Sequence, residues 1–265
     1  MPPSRIQAAF DRLREARRGG MVTYVTAGDP DAETSVEILV ALARAGTDVL
    51  EVGVPFSDPL ADGPVIQRAT ERALAAGMTL RGTLDVVRQV RREVDTPIVL
   101  FTYANPVVRM DPRVFARAAK EAGVDGVLIL DYPVEEAEPV RGSLIAAGLD
   151  PIFLISPTTT DERIRRSSDL GRGFLYLISR LGVTGVRDTL AADAAALVTR
   201  VRAQSQLPVA LGFGISSPEH VAQACASADA AVVGSALVNV IAQHGASPDV
   251  ADRAGEYVRW LKSAV

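Results

Sequence analysis

The chain has 265 residues, 48% apolar and 23% charged, with a formal net charge of -4, one cysteine (Cys225) and two histidines (His220 and His244). That composition excludes a disordered chain, a collagen-like repeat and a disulfide scaffold, and the length suits a single α/β barrel of about 250 residues. The acidic balance argues against a nucleic-acid footprint, no apolar run reaches the ~20 residues of a membrane span, and without a secretory leader the expected location is the reducing cytoplasm.

In chain order, Ile6, Phe10 and Leu13 share one face of an expected helix over 4–17, read as a cap on the bottom of the fold. Asp11 and Glu15 weigh against reading it as a transit peptide. Eight short aliphatic runs follow, at 21–26, 48–52, 98–103, 126–130, 151–155, 174–178, 208–212 and 230–233. Each is nearly continuous in apolar residues, as parallel strands covered on both faces should be. Ala45-Gly46-Thr47-Asp48, Ala122-Gly123-Val124-Asp125 and Ala147-Gly148-Leu149-Asp150 repeat one punctuation, a helix ended by glycine and then a strand. Eight such units predict the α/β class and a (β/α)₈ barrel, one domain over 1–265 with an extra N-terminal helix. A doubly wound open sheet would also alternate strands and helices. It fits less well, because no Gly-x-Gly-x-x-Gly opens the first helix and Gly212-Phe213-Gly214 lacks the third glycine.

In a barrel, reactive groups lie at the C-terminal ends of strands. The second run places Glu51 among apolar neighbours, where a carboxyl either finds a cationic partner or takes up a proton near neutral pH. The loop after it is long, and within it Asp62 precedes Gly63-Pro64, so it reads either as a functional carboxylate or as a helix cap. Asp58, ahead of Pro59, reads as a turn former. Gly234-Ser235 opens a helix directly after the eighth strand, beside Gly212-Phe213-Gly214 after the seventh, and the paired sites suit a phosphate. Tyr24, Tyr103 and Tyr176, with Phe213, form a slot for a flat ring if they converge, and otherwise are core. Gly182-Val183-Thr184-Gly185, continuing to Leu190, reads as a lid, while Trp260 and His244 read as packing or surface residues. Lys120 and Lys262 are the only lysines, and neither falls at a strand end, so chemistry rests on carboxylates, hydroxyls, arginines and backbone groups.

The run from Glu51 through Val52-Gly53-Val54-Pro55-Phe56-Ser57-Asp58-Pro59-Leu60-Ala61-Asp62-Gly63-Pro64, with Thr102-Tyr103-Ala104-Asn105-Pro106 and Gly182-Val183-Thr184-Gly185, closely resembles the α subunit family of tryptophan synthase. Thr26-Ala27-Gly28-Asp29-Pro30, Gly212-Phe213-Gly214 and Gly234-Ser235 extend the resemblance over essentially the whole chain. It implies a (β/α)₈ barrel that cleaves indole-3-glycerol phosphate to indole and glyceraldehyde 3-phosphate. Matched by position, it implies Glu51 and Asp62 as the catalytic carboxylates, the first moving protons and the second engaging the indole N–H. Gly185, Gly214, Gly234 and Ser235 match phosphate-binding positions, Thr184 the closing loop, and Tyr24, Tyr103, Tyr176 and Phe213 the indole wall. The family pattern admits Phe at Tyr24, so the hydroxyl there is a departure in packing. No cofactor is implied for this chain. Pyridoxal phosphate is expected in a β-subunit partner within an α2β2 heterotetramer, with Asp58 and Asn105 near that partner. A stand-alone lyase that releases indole, another phosphosugar barrel such as an isomerase or indole-glycerol-phosphate synthase, and a catalytically dead binding barrel remain as competing readings.

Overall fold

Strands β1 (Gly20–Thr26), β2 (Val49–Gly53), β3 (Ile98–Thr102), β4 (Gly126–Ile129), β5 (Asp150–Ile155), β6 (Leu175–Ile178), β7 (Val209–Gly212) and β8 (Ala230–Val233) pair in parallel with their chain neighbours. The ring closes where β8 pairs with β1. This computed structural model describes residues 3–178, 187–212 and 214–265, with the backbone alone for 187–192. Around the ring lie α1 (Arg5–Glu15), α2 (Ala32–Arg44), α3 (Pro64–Ala75), α4 (Leu80–Glu93), α5 (Ala104–Met110), α6 (Pro112–Ala122), α7 (Glu138–Ala146), α8 (Asp161–Leu170), α9 (Arg187–Arg202), α10 (Pro218–Cys225), α11 (Ser235–His244) and α12 (Val250–Lys262). All eight expected strands are present, and the fold is a (β/α)₈ barrel.

The two-residue period of a strand divides the core in two. Inward-facing Val22, Val49, Val99, Leu128, Ile152, Phe174 and Ala210 form one apolar cluster, while Leu50, Val52 and Leu100 face outward into a second cluster with Leu84 and Val87 of α4. Burial on both faces explains why the strand sequences read as unbroken apolar runs. At the glycine punctuation the chain needs a positive φ, which Gly46, Gly123 and Gly148 supply at 100°, 98° and 75°.

Helix α1 plugs the bottom of the barrel as expected, with Ile6, Phe10 and Leu13 joining the inner cluster. The strands make room for it: a Cβ on Gly20 would lie 2.5 Å from Leu13 Cδ1, and one on Gly126 would lie 2.8 Å from Ile6 Cδ1. The helix is shorter than expected, because Ser4 caps its start and Arg17 turns to a φ of 51°. A second device recurs at this end. Asp48, Asp125 and Asp229, each just ahead of a strand, accept the backbone N–H of Met21, Ile98 and Val209 at the start of the preceding odd-numbered strand. Asp48 and Asp125 of the repeated punctuation, joined by Asp229, therefore close the foot of the ladder, whereas Asp150 accepts from the Ser4 hydroxyl of the α1 cap instead.

Candidate active site

Period-two alternation on β2 turns Val49 and Glu51 inward, and the register sets Glu51 between Tyr24 of β1 and Val99 of β3. Glu51 is 0% exposed, and neither carboxylate oxygen has a hydrogen-bond partner among the described residues. No arginine among the described residues closes on it, which favours the proton-carrier reading over the ion pair; Arg180 lies outside those residues. Burial first, and the charge of Asp62 second, raise its pKa to about 8, which leaves it a neutral acid at pH 7.

Asp62 is not a helix cap. The cap position of α3 falls to Gly63, which makes no side-chain cap bond, and Pro64 takes the first helical position. The Asp62 carboxylate turns instead to Tyr103, whose Oη donates to Oδ2 at 3.1 Å and accepts the Ala61 N–H at 3.1 Å. Gln67 holds the same loop from below through Nε2, which donates to the Asp62 carbonyl at 2.8 Å. Burial raises Asp62 to about 6 while the Tyr103 bond pulls it down, so at pH 7 it is mostly ionised. Two nearby carboxyl groups thus differ in charge at the same pH, the arrangement that separates an acid from an electrostatic stabiliser.

Sequence reasoning missed Phe101, which organises the aromatic wall. Tyr24 meets it edge-on at 5.4 Å and Tyr176 lies 6.5 Å away, both ring-centroid distances, so two of the three tyrosines converge through a residue that read as ordinary strand core. Its signal was the alternation Val99, Phe101 on β3. Gly53 permits the Tyr24 approach, since a Cβ there would lie 2.1 Å from Tyr24 Oη. Phe56, also missed, flanks Tyr103 at 5.2 Å. Beside Tyr24, Gly234 begins α11 without a side-chain cap, leaving the amides of the Ser235 turn available to an anion, and Gly214, with a φ of 83°, follows the neighbouring strand β7. Thr184, Gly185 and Phe213 lie outside the described residues, as does the lid reading over 182–186; its continuation from Arg187 to Leu190 is not loop but the first turn of α9. Both lysines lie at the opposite end of the barrel, Lys120 donating to the Gly148 carbonyl and Lys262 to Asp48.

A family profile described as tryptophan synthase alpha chain matches residues 10–265. The chain belongs to the tryptophan synthase alpha chain family. The tryptophan synthase alpha chain of Burkholderia thailandensis is 46% identical over 263 residues, covering 99% of this chain and 97% of that protein. That of Polynucleobacter asymbioticus is 45% identical over 239 residues, or 90% of each. Among solved structures, the alpha subunit from Legionella pneumophila superposes with a TM-score of 0.92 at 39% identity over 98% of both chains. Mycobacterium tuberculosis tryptophan synthase gives 0.91 at 38% identity over 99% of this chain and 98% of that one. As a tryptophan synthase alpha chain, the protein is a lyase of tryptophan biosynthesis that cleaves indole-3-glycerol phosphate to indole and glyceraldehyde 3-phosphate. An alpha chain also implies a beta-subunit partner. No helix among the described residues is long and apolar enough to cross a membrane.

Proposed function

We propose that Glu51 and Asp62 perform the retro-aldol cleavage between them, within a single domain over 1–265. The observation that carries this is their split in charge: a neutral carboxyl at about 8 beside one at about 6. Protonation of the indole ring at C3 by Glu51 turns the ring into the electron sink that a Schiff base or a metal supplies in other aldolases. Asp62, ionised, accepts the ring N–H and stabilises the positive charge that develops at nitrogen. The Glu51 carboxylate then takes the carbinol O–H proton as the C–C bond breaks. Its electron pair returns to the ring, and indole and the aldehyde separate with Glu51 again protonated. Glu51 gives one proton to C3, where it stays in the indole product, and regains one from the carbinol O–H, so the cycle closes.

Tyr24, Phe101 and Tyr176 supply the apolar slot for the ring, with Tyr103 fixing Asp62 at its edge. Gly214, Gly234 and Ser235, joined by Gly185, hold the phosphate through backbone amides and the α11 dipole. Thr184 belongs to the closing loop and Phe213 to the ring wall.

The partner is a β subunit in an α2β2 assembly, working in the cytoplasm, and pyridoxal phosphate belongs to that subunit. Leu60, 92% exposed on the loop after β2, and Val108, 57% exposed on α5, support a protein docked over the mouth, next to Asp58 and Asn105. A stand-alone lyase is less favoured, because the family match is to a synthase subunit. Indole release from indole-3-glycerol phosphate tests both readings. Glu51→Gln and Asp62→Asn should each lose on the order of 10²-fold or more, and the wild type should accelerate when the β subunit is added. Intact indole release in both variants sinks the mechanism, and strong activity unchanged by the partner sinks the assembly.

A further inference from the structure

The proposed cycle leaves Glu51 briefly as an anion in an apolar chamber, and no described residue is already bonded to it to hold that charge. The titratable groups that face it are Tyr24 from β1, Asp62 from the loop after β2 and Tyr176 from β6, with Tyr103 beyond Asp62. Asp62 carries the same sign of charge. Among these described groups only a phenol can donate.

Tyr24 is the phenol the strand register aligns with Glu51, both side chains facing inward on adjacent strands. Its Oη lies against Gly53, the next inward position along β2 from Glu51, close enough that a Cβ there would stand 2.1 Å away. The residue is 4% exposed, so bulk water does not compete for the hydroxyl. Its one hydrogen bond among the described residues is to Thr26 Oγ1 at 3.2 Å, in which either hydroxyl donates. Two hydroxyls carry two hydrogens, and that bond uses one. With Thr26 donating to Tyr24, the phenol hydrogen is released for another acceptor.

We propose that the Tyr24 hydroxyl, backed by Thr26, is a switchable donor that holds the Glu51 carboxylate when it ionises, making Tyr24 a positioning residue for the reaction. With Glu51 neutral, Tyr24 donates to Thr26. When Glu51 releases its proton, both hydroxyls rotate so that Thr26 donates to Tyr24 and Tyr24 to Glu51, and no covalent bond changes. The inference rests on Glu51 as the proton carrier. It assigns a role to the hydroxyl by which Tyr24 departs from a plain aromatic wall.

The test is to titrate Glu51 directly, by NMR of protein labelled with ¹³Cδ-glutamate, in wild type and Tyr24→Phe, with Glu51→Gln identifying the resonance. The alkaline limb of kcat/KM for indole release is measured on the same proteins with the β subunit present. Tyr24→Phe removes one oxygen and keeps the ring against Phe101. The expected result is an upward move of the Glu51 midpoint by about one pH unit or more, a tenfold change in proton affinity. The alkaline limb should move with it, and kcat should fall. A midpoint and limb unmoved within about 0.3 pH unit overturn the proposal, whatever happens to kcat, because a packing defect alone leaves them in place. If Glu51→Gln itself releases indole at the wild-type rate, the reading of Glu51 as proton carrier fails instead.

Discussion

Replacing Glu51 with glutamine should make the protein more stable at high pH, although it abolishes the carboxyl on which the reaction rests. In the folded chain Glu51 is fully buried with neither oxygen bonded, and its pKa rises from 4.5 to about 8. The folded state therefore holds this proton more tightly than the unfolded chain. Its contribution to stability is fully present below pH 4.5, declines as pH rises through the window from 4.5 to about 8, and is level above that. At about 1.4 kcal/mol per pH unit the loss reaches a ceiling of about 5 kcal/mol, comparable to the whole stability of many domains. The Glu51→Gln side chain would have no proton to lose. Its unpaired amide costs about 1–3 kcal/mol, but by the same amount at every pH. Carboxylates other than Asp62, which is coupled to Glu51, titrate alike in both proteins and cancel in the difference. Thermal midpoints measured from pH 5 to pH 9 should therefore cross, with the variant equal or lower at pH 5 and higher at pH 9. At about 2–4 °C per kcal/mol for a chain of this size, the divergence is on the order of 10 °C. Parallel midpoint curves across that range would refute the claim that Glu51 is an unpaired carboxyl held neutral by burial.

The same two carboxyl groups set a bell in kcat/KM, with an acid limb near 6 from Asp62 and an alkaline limb near 8 from Glu51, read from initial rates of indole release. Tyr103→Phe removes the bond that holds Asp62 down, so the acid limb should move upward, and an unmoved limb would show that the bond does not set the charge of Asp62. Arg72→Met strands the buried Asp29, which it now grips with two bonds of 2.7 and 2.8 Å, and should cost about 3 kcal/mol in urea unfolding, most of it recovered by adding Asp29→Asn. Gly53→Ala drives a Cβ into Tyr24 and should cost about 1–3 kcal/mol in the same assay. Tyr24→Phe should relieve this only in part, because the ring carbons themselves stand 2.6 and 2.8 Å from that Cβ.

The barrel was legible because its determinants are local and repeated. Each strand is a short run buried on both faces, each glycine stop needs a positive φ, and both signals recur along the chain. Glu51 stood out for the opposite reason, as a charge in an apolar run. What escaped was pairing across strands. Phe101 carries no local mark that separates it from core, and its place between Tyr24 and Tyr176 depends on the register of the closed sheet. Asp62 was ambiguous because its sequence context, ahead of Gly-Pro and a helix, is that of a cap. Only the tertiary bond from Tyr103, 41 residues away, decides which way the carboxylate turns. Thr184, Gly185 and Phe213 rest on the family resemblance.

The two ends of the barrel treat buried acids in opposite ways, and the contrast accounts for where chemistry can occur. At the bottom, Asp125 receives Arg5, Arg91 and the Ile98 amide, while Asp48 receives Arg18, Lys262 and the Met21 amide. Those carboxylates are bonded to cations and backbone donors on every side the structure shows. At the mouth, Glu51 has no such partner and Asp62 has a neutral phenol. Burial and the charge of Asp62 set the proton affinity of Glu51, while burial against the Tyr103 bond sets that of Asp62. The scarcity of lysine belongs to the same logic. A strand-end lysine would pair with Glu51, fix its charge and remove the neutral acid that the indole ring requires. The chain's two lysines instead lie at the foot, where they tie helix ends and strand starts together. Moving one to the mouth, as in Val99→Lys beside Glu51 in register, should therefore pull Glu51 down toward the ordinary carboxylate range and eliminate indole release. If indole release and its alkaline limb both survived that change, the need for a neutral acid at the mouth would be disproved.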